Sequence, residues 1–203
     1  GDDFAGYLLQ AKSILNGSER QLIEQSSFTL NNSTILIGPA AVLWGYPLII
    51  APIYYVFGLN PLALNASNIL FLVLFMLLLF LLLRDRLSPL EAVLAVAVFV
   101  FSPEIITYQN NITSDLAFMS LSTLAILSID RFVVENRRTT ASFGRDVALG
   151  VAIFWAFFIR ATGALLLFTL LGCQIIALYP QVSKPDVRKK MLLLFLVPYL
   201  VFA

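Results

Sequence analysis

The chain has 203 residues, of which 60% are hydrophobic and 12% are charged. Soluble domains carry about twice that share of charged residues, so the composition predicts an integral membrane protein. The net charge of +1 gives no indication of nucleic-acid binding, and the lack of histidine excludes imidazole metal sites and histidine-dependent catalysis. The only cysteine, Cys173, lies in an apolar run, so there is no disulfide framework.

The first stretch, GDDFAGYLLQAKSIL, has apolar residues at helical spacing and predicts a short amphipathic helix from about Phe4. Asp2 or Asp3 then falls at the N-cap, where a carboxylate accepts unpaired backbone N–H groups. Asp3 and Tyr7 are four residues apart and share a helical face. Two interpretations stay open from these residues alone: a capped interfacial helix, or a helix that presents an acidic active-site residue.

Residues 16–43 are polar and rich in turn-forming residues, which predicts an aqueous loop. Residues 44–58 are apolar but contain two prolines and are too short to cross a bilayer, so we expect an interfacial or re-entrant element. Five later stretches are predicted to cross as helices: 62–83, 90–103, 116–134, 147–159 and 162–179. A further span is predicted to start at residue 191.

Arg160 interrupts the apolar stretch 147–179, which would be roughly 50 Å long as one helix against a hydrocarbon core of about 30 Å. We therefore expect a hairpin of two spans with Arg160 near its tip. The predicted fold is all-α, a polytopic transmembrane bundle in one domain. Residues 1–61 would form an extracytoplasmic loop with juxtamembrane helices, and residues 62–203 the transmembrane helices.

The chain lacks an initiator methionine and stops within an apolar run, so we expect a fragment of a longer protein. Ten of its thirteen Lys and Arg residues fall in the loops 84–88, 131–146 and 180–190. The excess of positive charge predicts that these loops are cytoplasmic. Alternation through the spans then puts five other charged residues on the outer face: Asp2, Asp3, Glu104, Asp115 and Arg160.

Carboxylates close to hydrocarbon are costly and commonly mark a functional site. One carboxylate can act as general base on an acceptor hydroxyl or amine. A second can orient the acceptor or help to hold Mg²⁺ or Mn²⁺, which prefer oxygen ligands. A guanidinium can stabilise a departing phosphate through paired hydrogen bonds. Singly, Asp115 could be a helix cap and Arg160 a structural partner; together on one face they favour a site.

The residues also carry a resemblance to a family. GDDFAGYLLQAKSILNG resembles the first extracytoplasmic loop of GT-C membrane glycosyltransferases, closest to the protein-mannosyltransferase-like and aminoarabinose-transferase-like branch. Asp3, Tyr7, Ala11 and Gly17 match the acid, tyrosine, alanine and glycine of that pattern.

Three later stretches resemble the same family in the same order. WGYPLIIAPIYYVFG resembles a Tyr-Pro-Pro-Leu element, although Tyr46-Pro47 lacks the second proline. In NNITSDLAFMSLSTLA, Asp115 matches a second acidic residue. In FFIRATGALLLF, Arg160 and Gly163 match an Arg-x-x-Gly element.

The resemblance implies a polyprenyl-phosphate-linked sugar donor, an extracytoplasmic acceptor, inversion at the sugar carbon and a multi-pass protein. We expect it in a bacterial inner membrane with its active site facing outward. Asp3 is the implied general base, with Asp2 as the alternative because the family often has Asp-Glu there, and Asp115 is a second catalytic acid. Asp3 and Asp115 are also the candidate Mg²⁺ or Mn²⁺ ligands. The predicted substrate-binding residues are Tyr7, Tyr46, Glu104 and Arg160.

Two alternatives come from other functional classes. A secondary transporter or flippase-like protein would use the carboxylates to bind ions or substrate. Transporters usually place such charges near the bilayer midplane on broken helices. Here the acids fall at span ends, which counts against transport, whereas the interruption at Arg160 is the strongest point for it. A non-catalytic membrane scaffold would leave the acidic pair unexplained.

Overall fold

The computed structural model describes residues 3–32, 43–135, 143–178 and 196–202, and this part of the chain is helical without strands. A π-helical turn, Asp130–Glu135, extends the seventh helix, and a 3₁₀ turn, Ala161–Ala164, separates the eighth from the ninth. The helices are α1 (Asp3–Asn16), α2 (Glu19–Asn32), α3 (Gly45–Phe57), α4 (Pro61–Leu83), α5 (Pro89–Val100), α6 (Pro103–Asn110), α7 (Asp115–Ile129), α8 (Phe143–Ile159), α9 (Leu165–Leu178) and α10 (Val197–Phe202). The predicted all-α fold is confirmed.

Among the described residues, two helices are long and apolar enough to cross a membrane: α4, and α7 with its extension as far as Val134. In the predicted spans 90–103 and 162–179 the apolar helices are shorter than a full crossing. α3 has 13 residues and a length of about 20 Å, which is too short to cross, and its predicted interfacial or re-entrant position stays a prediction. Large apolar side chains are exposed along α4, α5 and α9. A surface of this kind suits contact with lipid rather than water.

The segment after α1 corrects the prediction of a loop over residues 16–43, because residues 19–32 form α2. α1 ends at Gly17, whose φ of 62° is the left-handed conformation that glycine adopts easily. The Ser18 N–H donates to the Ser13 carbonyl at 2.9 Å, which closes a Schellman turn. α2 then starts almost at once and carries an Arg20–Glu24 ion pair of 3.0 Å along one face. Residues 33–42 lie outside the described residues.

The predicted breaks after residue 83 and at Arg160 are confirmed, whereas the predicted span 90–103 ends early: α5 ends at Val100, and a separate helix, α6, begins at Pro103. Ser88 caps α5 in a capping box with Glu91, and the Ser102 hydroxyl accepts a hydrogen bond at the start of α6. Arg160 has an extended backbone between α8 and the 3₁₀ turn. Gly163 allows the chain to reverse there, because a β-carbon at this position would collide with the backbone of the last turns of α8.

Helix α7 is the centre of the fold, with α4 and α8 packed along it. Beneath its amino-terminal end lies one buried cluster to which α1, α3, α4, α7 and α8 all contribute, together with the segment just before α7: Tyr7, Ala11, Tyr46, Ile50, Ala51, Leu64, Ile112, Ala117 and Ile159. The start of α3 approaches the end of α8 so closely that a β-carbon on Gly45 would collide with the Phe158 carbonyl. This packing brings four other helices to one end of α7.

Candidate active site

An ion pair between Asp115 and Arg160 lies at the amino-terminal end of α7. Asp115 is the first residue of α7, and Arg160 follows the last residue of α8. The Arg160 Nη1 donates to the Asp115 Oδ1. The side chains are 24% exposed for Asp115 and 42% for Arg160, so the pair is at an accessible edge of the bundle and not sealed within it. Two charges 45 residues apart in the chain therefore meet directly.

Ser114 joins this end of α7 to α1. It occupies the N-cap position of α7, but its side chain does not cap the helix. Its buried hydroxyl lies instead 2.9 Å from the Tyr7 hydroxyl. A hydrogen bond between two buried hydroxyls fixes α1 against the residue next to Asp115.

The Tyr7 ring meets the Tyr46 ring edge to face, with 5.0 Å between the ring centroids. Tyr46 is fully buried, and its hydroxyl donates to the Asn68 Oδ1 at 3.1 Å. Burial raises the pKa of the Tyr46 phenol and outweighs a hydrogen bond with Ser67 that lowers it, and the nearby Tyr7 and Asp115 raise it further. The phenol therefore stays neutral and keeps its hydrogen-bond donor.

Asn68 continues this network to the segment that leads into α7. Its Nδ2 donates to the backbone carbonyl of Asn111 and, at 3.5 Å, to that of Tyr108. The sequence analysis did not single out Asn68 or Ser114. A signal for Asn68 existed, because a buried amide inside an apolar span must find hydrogen-bond partners. Ser114 had no comparable signal, because its partner is more than a hundred residues away.

The remaining predicted residues stand as follows. Asp3 is the first residue of α1, one turn before Tyr7, but its side chain lies outside the described part, as does all of Asp2. Glu104 is exposed in the first turn of α6, where an acidic residue complements the helix dipole. Within the described ranges no hydrogen bond or ion pair links Glu104 to the Asp115–Arg160 pair.

A metal role for the carboxylates stays a prediction. The described residues include no group of three or more Cys, Asp or Glu side chains placed to hold a metal ion. Asp115 already has a cationic partner in Arg160, and the side chain of Asp3 is not described. The chemistry that the described side chains offer is a half-exposed guanidinium beside a carboxylate, supported by two buried tyrosines.

Comparison with known proteins identifies the family. Residues 44–203 match the family model described as dolichyl-phosphate-mannose-protein mannosyltransferase. The match includes Tyr46, Glu104, Asp115 and Arg160 and begins after α1 and α2. Neither the curated proteins nor the solved structures give a significant match. Since the family model covers most of the chain, the protein belongs to the dolichyl-phosphate-mannose-protein mannosyltransferase family of GT-C membrane glycosyltransferases.

Proposed function

We propose that the protein transfers a sugar from a polyprenyl-phosphate-linked donor to an extracytoplasmic protein, lipid or glycan, with inversion at the sugar carbon. The observation that supports this most strongly is the half-exposed Asp115–Arg160 pair beside Tyr7 at the end of α7. Ten of the thirteen Lys and Arg residues fall in the loops 84–88, 131–146 and 180–190, which the predicted topology puts on the side of the membrane opposite this end of α7. By the positive-inside rule the site would face outward from a multi-pass protein in a bacterial inner membrane.

Arg160 is proposed to bind the phosphate of the lipid-linked donor. A guanidinium carries five N–H donors in a rigid fork, so contact with Asp115 through Nη1 leaves other donors for phosphate oxygens. The side chain is 42% exposed, which leaves it accessible to a lipid headgroup. Its charge would stabilise the phosphate as the bond to the sugar breaks.

Asp3 is proposed as the general base, with Asp2 as the alternative. Asp3 precedes Tyr7 by four residues in α1, a rise of about 6 Å on the same helical face. Tyr7 in turn contacts Ser114, so this face of α1 is directed to the Asp115 end of α7. The base removes the proton of the acceptor hydroxyl, whose oxygen attacks the anomeric carbon opposite the phosphate. The carbon–oxygen bond to the phosphate breaks, and polyprenyl phosphate leaves.

Asp115 is proposed as the second acid, which holds Arg160 in place and helps to orient the acceptor. Tyr7 is proposed to support the acceptor side through its hydrogen bond to Ser114, since its side chain is buried. Tyr46 is fully buried with its hydroxyl bonded to Asn68, so the geometry favours support of Tyr7 over direct contact with substrate. Glu104, exposed on α6, is proposed to contribute to substrate binding only at the edge of the site.

The test is to incubate the purified full-length protein with a panel of polyprenyl-phosphate sugars and an acceptor extract, and to measure released polyprenyl phosphate. We expect release with one donor class and none from the Asp3→Asn variant. Movement of the donor across vesicle membranes without release would instead support the transporter hypothesis. Repeating the assay after EDTA treatment, with and without added Mg²⁺ or Mn²⁺, tests the proposed metal role of Asp3 and Asp115.

A further inference from the structure

We propose that Asn68 is a positioning residue for this site, which holds the segment before α7 so that Asp115 meets Arg160. The catalytic part of this inference rests on the proposed glycosyl transfer. The described hydrogen bonds of Asn68 go to Tyr46, Tyr108 and Asn111 and not to the ion pair, so it would act through the backbone of residues 108–114.

The amide of Asn68 is fully buried and bonded on both of its polar atoms. The oxygen accepts from the Tyr46 hydroxyl, and the nitrogen donates to the carbonyls of Asn111 and Tyr108. The two backbone carbonyls can only accept, so they require the amide nitrogen of Asn68 and leave its oxygen to accept from the Tyr46 hydroxyl. Tyr46 thereby completes the hydrogen bonding of an amide whose N–H groups face the segment before α7.

The carbonyls that Asn68 binds lie at the end of α6. The Tyr108 carbonyl also accepts from the Asn111 N–H at 3.4 Å, whereas Asn111 is the C-cap of α6, so its carbonyl lies beyond the last helical turn. Asn68, from the apolar helix α4, donates to this carbonyl from outside the helix. The side chain of Asn68 is fully buried, so its amide needs hydrogen-bond partners within the protein.

The segment held in this way leads directly to the proposed site. Only four residues, 111–114, separate α6 from α7. Asn68 holds its first carbonyl, Ile112 is buried in the cluster below, and the Ser114 hydroxyl lies against Tyr7. Loss of the Asn68 contacts would free one end of the segment and shift the start of α7. A displacement of about 1 Å at a catalytic group can lower a rate about 100-fold.

A matched control exists on the same two helices. The Ser120 hydroxyl lies 2.6 Å from the Phe71 carbonyl, so it also joins α7 to α4, but deeper in the bundle. Ser120→Ala removes a buried contact between α4 and α7 without touching residues 108–114. A role of Asn68 in general packing predicts similar effects at both positions, whereas positioning predicts an effect at Asn68 alone.

The experiment compares Asn68→Leu with Ser120→Ala in the full-length protein, by transfer kinetics and by backbone hydrogen exchange. We expect Asn68→Leu to lower kcat by about 10- to 100-fold with little change in KM for the donor, and to increase exchange at residues 108–114. Ser120→Ala should keep kcat within about twofold and leave exchange in that segment unchanged. In an Asp115→Asn background, Asn68→Leu should cost little more, because the two changes act on one step.

Tyr46→Phe is the second variant, since it keeps the ring and removes only the hydroxyl that orients Asn68. We expect the same increase in exchange at residues 108–114, and this variant carries the test if Asn68→Leu does not fold. Unchanged exchange in that segment, or equal effects of Ser120→Ala, would overturn the proposal. If the wild-type protein releases no polyprenyl phosphate from any donor, the proposed function fails, but the exchange comparison still decides whether Asn68 holds the segment.

Discussion

The two ends of α7 carry the same kind of contact, an aspartate paired with an arginine from another part of the chain. At the first end, Asp115 pairs with Arg160. At the other end, about 22 Å away along the helix, Asp130 pairs with Arg86 at 2.5 Å. Residue type alone therefore does not separate the proposed active site from a structural contact.

The surroundings of the two pairs differ. Buried hydroxyl and amide groups of Tyr7, Ser114, Tyr46 and Asn68 lie close to Asp115 and fix its backbone. At the other end Asp130 is 13% exposed and Arg86 51%, and the neighbouring Arg131–Asp85 contact is 3.7 Å long between half-exposed side chains. Exposed pairs of this kind contribute little to stability. The two ends therefore differ in a connected buried polar network, which only the proposed active-site end has among the described residues, and not in the ion pair itself.

The largest expected effect is at the base proposed for the first end. Asp3→Asn should abolish sugar transfer, at least about a 100-fold loss, because an amide cannot accept the acceptor proton. Expression and membrane insertion should stay unchanged. The measurement is release of polyprenyl phosphate, with Asp2→Asn as the matched control. Loss of transfer in Asp2→Asn but not in Asp3→Asn would identify Asp2 as the general base. Normal transfer in both variants would show that neither aspartate is the base.

Arg160→Gln tests the cation of the same end. We expect kcat/KM for the donor to fall about 100-fold, as when one charge-stabilising donor is lost from a catalytic site. Arg160→Lys should fall between the wild type and the glutamine variant, because it keeps the charge but not the planar fork. Arg86→Gln, at the Asp130 end, is the control and should stay close to wild type. Equal losses at Arg160 and Arg86 would break the distinction between the two ends.

Tyr7→Phe tests the buried network rather than the charges. It removes the hydroxyl that pairs with Ser114 and should lower stability by about 1–3 kcal/mol, with a loss of transfer of about tenfold. The double variant with Ser114→Ala should recover part of the stability, because neither side then has an unpaired hydroxyl. Thermal unfolding in detergent measures the first effect and the release assay the second. Unchanged stability and unchanged transfer in Tyr7→Phe would show that the hydrogen bond between Tyr7 and Ser114 supports neither the fold nor the proposed site.

The smallest effect is expected at the Asp130 end. Arg131→Gln removes one partner of the exposed contact with Asp85 and should change stability by less than about 1 kcal/mol. Transfer should stay within about twofold of the wild type. A large loss of transfer activity in a normally folded Arg131→Gln variant would show that the Asp130 end of α7 contributes to function, which this account does not predict.

The sequence predicted the parts of the fold that depend on local signals. Hydropathy and the Ser-Pro pairs at residues 88–89 and 102–103 gave the helix breaks, and Arg160 within an apolar run gave the reversal after α8. α2 was missed, because asparagine, serine and glycine around it suggested a loop. The short Schellman turn at Gly17 lets a new helix begin within two residues, which composition does not reveal.

The site was only partly predictable, for a different reason. Placing Asp115 and Arg160 on one face follows from charge and topology, but their direct contact depends on how α7 and α8 pack. Ser114 and Asn68 form hydrogen bonds with residues far away in the chain, so no local sequence pattern identifies their partners. Glu104 was predicted on the same side of the membrane as Asp115 and Arg160, but no described hydrogen bond or ion pair joins it to them. A residue's predicted side of the membrane therefore does not show which residues it contacts.

The central claim is that the Asp115 end of α7 performs the chemistry and the Asp130 end does not. The most direct test is to measure polyprenyl-phosphate release for Asp115→Asn and Asp130→Asn side by side, at matched amounts of folded protein. We predict a loss of about 10- to 1000-fold for Asp115→Asn and a change within about twofold for Asp130→Asn. Equal losses, or a larger loss for Asp130→Asn, would contradict this account.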